Sequence, residues 1–143
     1  MKTFTLEEAE SLLPILESLL RTSIEGKKKI ESLEEAFAEL KSRIFLAGGM
    51  TVNVVEASRQ RAIYDKTVQQ VRDAVAEIHS IGVQVKDLDI GLLDFPCQLE
   101  NEVVLLCWKY GELGITHYHG VDEGFAGRKP IDERITKNRK DPQ

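Results

Sequence analysis

The sequence predicts an α+β fold, a long antiparallel helical hairpin packed with a small, mostly antiparallel sheet of three or four strands. Three observations predict it. Apolar residues recur at spacings of three and four between Leu6 and Ile78, interrupted once by the turn-forming run AGGMTVN at 47–53. From residue 83 the pattern changes to short β-branched runs punctuated by glycine, and EVVLLCWKY at 102–110 is almost continuously apolar. The composition, 42% hydrophobic and 30% charged over 143 residues, is that of a single domain able to bury a core.

The first helix has a clear start. Thr5 and Glu8 form a capping box, and Phe4 can staple to Ala9. Leu6, Ala9, Leu13, Leu16 and Leu20 set the rhythm, which returns as Ile30, Leu33, Phe37, Leu40 and Ile44. Pro14 in the third turn predicts a kink or a restart, and Gly26 weakens the middle. The reading is one long, imperfect helix over about 6–44. A second helix carries Arg61, Tyr64, Val68, Val71, Val75 and Ile78 at heptad-like, coiled-coil spacing and ends at Gly82. Roughly 38 and 26 residues span about 57 and 39 Å, longer than a compact domain of this size. Homodimerisation through helix packing is therefore expected, the alternative being a bent helix folded over its own core. Residues 1–143 form one domain, with the hairpin over 4–82, the sheet and its following segment over 83–131, and a disordered tail over 136–143. That tail is basic, with six basic residues against three acidic ones from Gly127 onward, and reads as a solvated terminus.

The final hairpin is read with Gly111–Glu112 as a two-residue type II′ loop. This register pairs Trp108 with Ile115, Leu106 with His117 and Val104 with His119. Cys107 then pairs with Thr116 and faces away from the histidines, and a three-residue loop would reverse that arrangement. The strand over 103–108 is apolar on both faces and should be central. Helices would cover one side, and the C-terminal segment or another subunit the other.

Strand alternation puts His117 and His119 on one face, where they could share a metal. Asp94, an acid set among apolar neighbours in LLDFP, must find a partner or face water. The structural reading has His119 hydrogen-bonded to Asp94, to Glu112 or near Arg128, with His117 partly exposed and dispensable. The metal reading has His119, Asp94 and Glu112 holding zinc or another divalent ion. A functional surface would comprise His117, Tyr118, His119, Asp94 and Arg128. Apolar surroundings should raise the pKa of Cys107 and leave it inert, whereas Cys97, after Pro96 in an expected turn, is the more exposed thiol. His79 reads as a surface residue near a helix end.

Other chemistry is missing from the sequence. There is no phosphate-binding loop, dinucleotide fingerprint, Cys-x-x-Cys pair or nucleophile elbow. A net charge of −5 gives no reason to expect nucleic acid, and GKKK at 26–29 reads as a solvated face. The N-terminus is no signal peptide, no apolar run approaches the roughly 18 residues of a membrane span, and two cysteines fit a reducing compartment. Cytoplasm is the expected location. The leading expectation is a non-enzymatic, self-associating protein that binds a protein partner through its sheet end, with no cofactor. The alternative is a small metal-binding or metal-assisted hydrolytic protein.

The run GVQVKDLDIGLLDFPC, followed by EVVLLCWKYGE, YHG and GFAGR, resembles the signature of a bacterial family, the domain of unknown function numbered 2203. FTLEEAESLLPIL and the glycines at 48 and 49 are similar to its other landmarks, so the resemblance covers residues 4 to about 131. It implies a hairpin ending in an aromatic residue followed by histidine, the place taken here by Tyr118 and His119. His117 stands where an aromatic is common, so only His119 matches the pattern. The resemblance implies no reaction, substrate or cofactor, and the cell-division names some members carry reflect helical periodicity.

Overall fold

The structure, a computed structural model, describes residues 2–49 and 53–136. The chain starts with the capping box. Thr5 Oγ1 accepts from Glu8 N at 3.1 Å, and Glu8 Oε1 accepts from Thr5 N at 2.9 Å. α1 (Leu6–Ser11) stops at Leu12, and α2 (Leu13–Leu46) restarts with Pro14 in its first turn, where the missing N–H costs no helical bond. The single helix expected over 6–44 is thus two. α3 (Val54–Ile81) is capped by Asn53, whose side chain accepts from Glu56 N, and ends at Gly82 with φ +106°. Residues 50–52 of the expected turn and 137–143 of the expected disordered tail lie outside the described residues.

The two long helices run antiparallel and touch from Gly26 against Val71 to Phe37 against Tyr64. Their near halves also bury a seam against the sheet, through Leu13, Leu16 and Leu20 of α2 and Ile78 of α3. Beyond Ser23 and before Thr67 neither helix holds a fully buried residue among those described. Among the described residues no helix is long and apolar enough to cross a membrane.

The sheet is an antiparallel meander of β1 (Gln84–Asp87), β2 (Leu92–Leu99), β3 (Glu102–Lys109), β4 (His117–Gly120) and β5 (Lys129–Pro130) in that spatial order. Five strands replace the three or four expected, the smallest addition being the two-residue β5. β3 lies in the middle, as its apolar faces require. On one face Leu93, Phe95, Leu106, Trp108 and Tyr118 pack against Phe4, Leu16, Leu20 and Ile78. The other face carries Leu92, Asp94, Leu105, Cys107 and His119, all buried. Glu123, Gly124 and Phe125, which follow β4, border the cavity on this side.

Two expectations about the strands are corrected. Cys97 is not in a turn but inside β2, fully buried on the helix side. Pro96 is tolerated there because β1 pairs no further than Asp94, and the Pro96 carbonyl accepts from Phe4 N at 2.7 Å. The β3–β4 connection is not a two-residue type II′ loop but residues 110–116. Its turn closes from Glu112 N to Lys109 O at 2.9 Å, with Gly111 at φ +100° in the third position, as in a type II turn. The Trp108 indole N–H donates to Glu112 O at 3.0 Å and holds the turn to the core. Cys107 therefore pairs with His117, Leu106 with Tyr118 and Leu105 with His119. The register differs by one residue from the expected one, so every β4 side chain changes face.

Candidate functional site

Each of three consecutive strands delivers one side chain to the second face. Asp94 on β2 sits directly opposite Cys107 on β3, and His119 on β4 sits opposite Leu105, one diagonal from Cys107. Side chains two apart on a strand share a face, so the corrected register brings the three together. Their donor atoms, a carboxylate oxygen, Sγ and a ring nitrogen, all lie within 4.8 Å of one another, and all three residues are buried.

His119 is fixed at both ends of its ring. Nδ1 lies 2.9 Å from Gly120 O, and Nε2 lies 3.2 Å from Asp94 Oδ1. A carbonyl can only accept, so Nδ1 carries a proton. A neutral ring then turns its Nε2 lone pair toward the carboxylate, and a proton or a cation must lie between them. Asp94 Oδ2 is buried with no hydrogen-bond partner among the described residues. Burial pushes the Asp94 carboxyl above the usual carboxylate range, and His119 opposes that shift only in part. Burial, with the Asp94 charge adding to it, also pushes the Cys107 thiol up to about 11, while Arg128 pulls the other way. Such a thiol is protonated at neutral pH and is a poor nucleophile.

The remaining sequence candidates divide. Arg128 borders the group: its guanidinium lies close enough to Cys107 to favour the thiolate, stacks over Phe125 at 4.2 Å and pairs with Glu112 Oε2 at 3.6 Å. Arg128 Nη1 is buried without a hydrogen-bond partner among the described residues. Glu112, expected beside His119 and Asp94, is not part of the donor set. It belongs to the 110–116 connection, where Oε1 accepts from Lys109 N at 2.7 Å. His117 is half-buried beside Cys107, with Nδ1 2.8 Å from Thr116 Oγ1, and it is not in the donor set. Tyr118 lies on the helix face, its hydroxyl accepting from Arg134 Nη2 at 3.1 Å. His79 is exposed, as read.

Cys107 is the residue the sequence reading left out, because its face depends on the register. Its signal was present only conditionally, in the longer-loop alternative. Lys86, Leu92 and Phe125 were not singled out for this site, and with Glu123, Gly124 and the three donors they line a cavity of about 190 Å³. Chemically the arrangement can share a proton between an acid and an imidazole, or hold a cation among one oxygen, one sulfur and one nitrogen.

No curated protein and no solved structure matches the chain. The family model described as "Uncharacterized conserved protein (DUF2203)" matches residues 2–131, and the chain belongs to that family.

Proposed function

We propose that the protein is a self-associating, partner-binding module without a reaction of its own, and that its contact surface is the far half of the helical arm. The carrying observation is the tip of that arm. Phe45, Leu46, Val54 and Val55 are each more than two-thirds exposed. Beside them an apolar groove of about 300 Å³ runs between Leu33, Phe37 and Leu40 on α2 and Ala57 on α3. Large exposed apolar side chains beside an apolar groove are the kind of surface that marks a contact site in a folded protein.

The occupant we assign is a second copy of the chain. A two-helix arm buries one seam and leaves the outer faces bare, whereas two such arms related by a two-fold axis make a four-helix bundle. The same helices carry a protruding apolar tip and an apolar groove, so a self-complementary contact needs no other surface. Cys97 and Cys107 are both buried and neither is in a disulfide, which supports a reducing, cytoplasmic setting.

Light scattering at micromolar concentration tests the assignment. The expected mass is twice the 16.1 kDa of the chain, falling to the single-chain value for the double variant Phe45→Glu/Val54→Glu. A single-chain mass for the wild type overturns it.

A further inference from the structure

We infer that Asp94, Cys107 and His119 form a binding site for a divalent transition-metal ion of the zinc class, with a fourth coordination position open to the adjoining cavity. Zinc takes nitrogen, sulfur and carboxylate oxygen at about 2.0–2.3 Å, which sets tetrahedral donors about 3.3–3.7 Å apart. Asp94 Oδ1 and His119 Nε2 are already at 3.2 Å, and the widest separation in the set is below 4.8 Å. Closing the set to a metal needs about an ångström of side-chain movement and no change of strand.

Four observations support this reading. The His119 ring is oriented as a zinc ligand usually is: Nδ1–H donates to the Gly120 carbonyl, which leaves Nε2 for the metal. The charges balance, since a thiolate and a carboxylate offset the two positive charges while Arg128 is paired separately with Glu112. The Arg128 guanidinium is placed to stabilise the Cys107 thiolate that coordination creates when the thiol proton leaves for solvent. Asp94 lines the cavity, and its Oδ2, buried with no hydrogen-bond partner among the described residues, would gain a cation beside it. Glu123 also borders the cavity, but its Oε1 accepts from Gly120 N and Lys129 Nζ at 3.0 and 3.1 Å. Glu123 is also outside the set of donors that lie within 4.8 Å of one another, so the fourth position is assigned to water. The donor set also selects the metal, because magnesium and calcium require oxygen ligands that two of these three residues lack.

The inference is independent of self-association, and its test can fail separately. Full-length protein purified without an affinity tag is stripped with a chelator, then titrated with cobalt(II) as a spectroscopic probe and with zinc. The expected result is one ion per chain, an intense thiolate-to-cobalt charge-transfer band, displacement of cobalt by zinc, and a Tm raised by about 5 °C or more by zinc but not by magnesium. Cys107→Ser should abolish the band, and His119→Gln should weaken zinc binding at least tenfold, each with an unchanged assembly mass. If either variant does not fold, the wild-type band and stoichiometry decide alone. Absence of a charge-transfer band in the wild type, or binding unaltered in both variants, overturns the site and leaves an Asp94–His119 pair sharing a proton.

Discussion

Asp94 and His119 meet across β3, with Nε2 and Oδ1 3.2 Å apart although the strands that carry them are not neighbours. Strands two positions apart are separated by about 9.5 Å, so the two side chains bridge the gap over the intervening strand. They do so where both are at most 4% exposed. Removing the imidazole leaves Asp94 with neither carboxylate oxygen paired. In chelator-treated protein, His119→Ala should therefore cost about 1–3 kcal/mol. His117→Tyr should stay within about 0.5 kcal/mol, because the ring is half-exposed and, among the described residues, bonds to the adjacent Thr116 hydroxyl alone. Urea midpoints for the two variants measure the difference, and equal losses would show that the pair across β3 is not what holds this face.

The helical arm depends on one close approach. A Cβ built on Gly26 would stand 2.4 Å from Val71 Cγ2, so the glycine sets how near α2 and α3 come. The buried polar residues of the two helices are small, and their hydroxyls are satisfied by their own helix: Ser23 Oγ donates to Leu19 O and Thr67 Oγ1 to Ile63 O. In an isolated helix, Gly→Ala gains about 1 kcal/mol. Here Gly26→Ala should instead lose about 1–2 kcal/mol through overpacking. Adding Val71→Ala should recover part of that loss, a coupling that a double-mutant cycle reads directly. Stabilisation by Gly26→Ala alone would show that the helices do not touch at this point.

The parts legible in the sequence are those decided locally. Thr5 and Glu8 bond across three residues, Pro14 forces its restart within one turn, and Gly82 ends α3 at the position its neighbours dictate. The β3–β4 register was not legible, because contacts distant from the turn help to select it. Ile131 N donates to Thr116 O, and Ile115 N donates to Glu10 Oε2, so the connection is anchored from two remote segments. The site divides in the same way. Asp94 could be singled out from LLDFP as a buried acid in need of a partner, and His119 from its place at the end of the hairpin. Cys107 could not be included, since a one-residue slip decides its face, and Glu112 was included only because it lies near in sequence. The two-residue β5 has no pattern of its own and exists because His117 and Tyr118 offer it an edge.

Gly111 tests that register. Its φ of +100° lies where side chains other than glycine are strained, yet a Cβ there would meet no atom within 4 Å. The penalty for substitution is therefore one of backbone conformation alone, and Gly111→Val should cost more than about 1 kcal/mol. Gly91 provides the contrast. Its φ is +69°, and a Cβ would stand 2.5 Å from Tyr110 Cβ, so Gly91→Ala should combine strain with a clash and cost more than Gly111→Ala. Around Gly111, Glu112 N bonds to Lys109 O, and Glu112 O receives the Trp108 indole N–H, so loosening this turn loosens the hold on the core tryptophan. The expected result is a lower denaturation midpoint for Gly111→Val, together with a red shift of Trp108 fluorescence that precedes global unfolding. An unchanged midpoint would place the turn elsewhere. If the chain then paired Cys107 with Thr116, His119 would leave the face that carries Asp94 and Cys107, the three-donor set would be broken, and the cobalt charge-transfer band would be absent from the wild type as well.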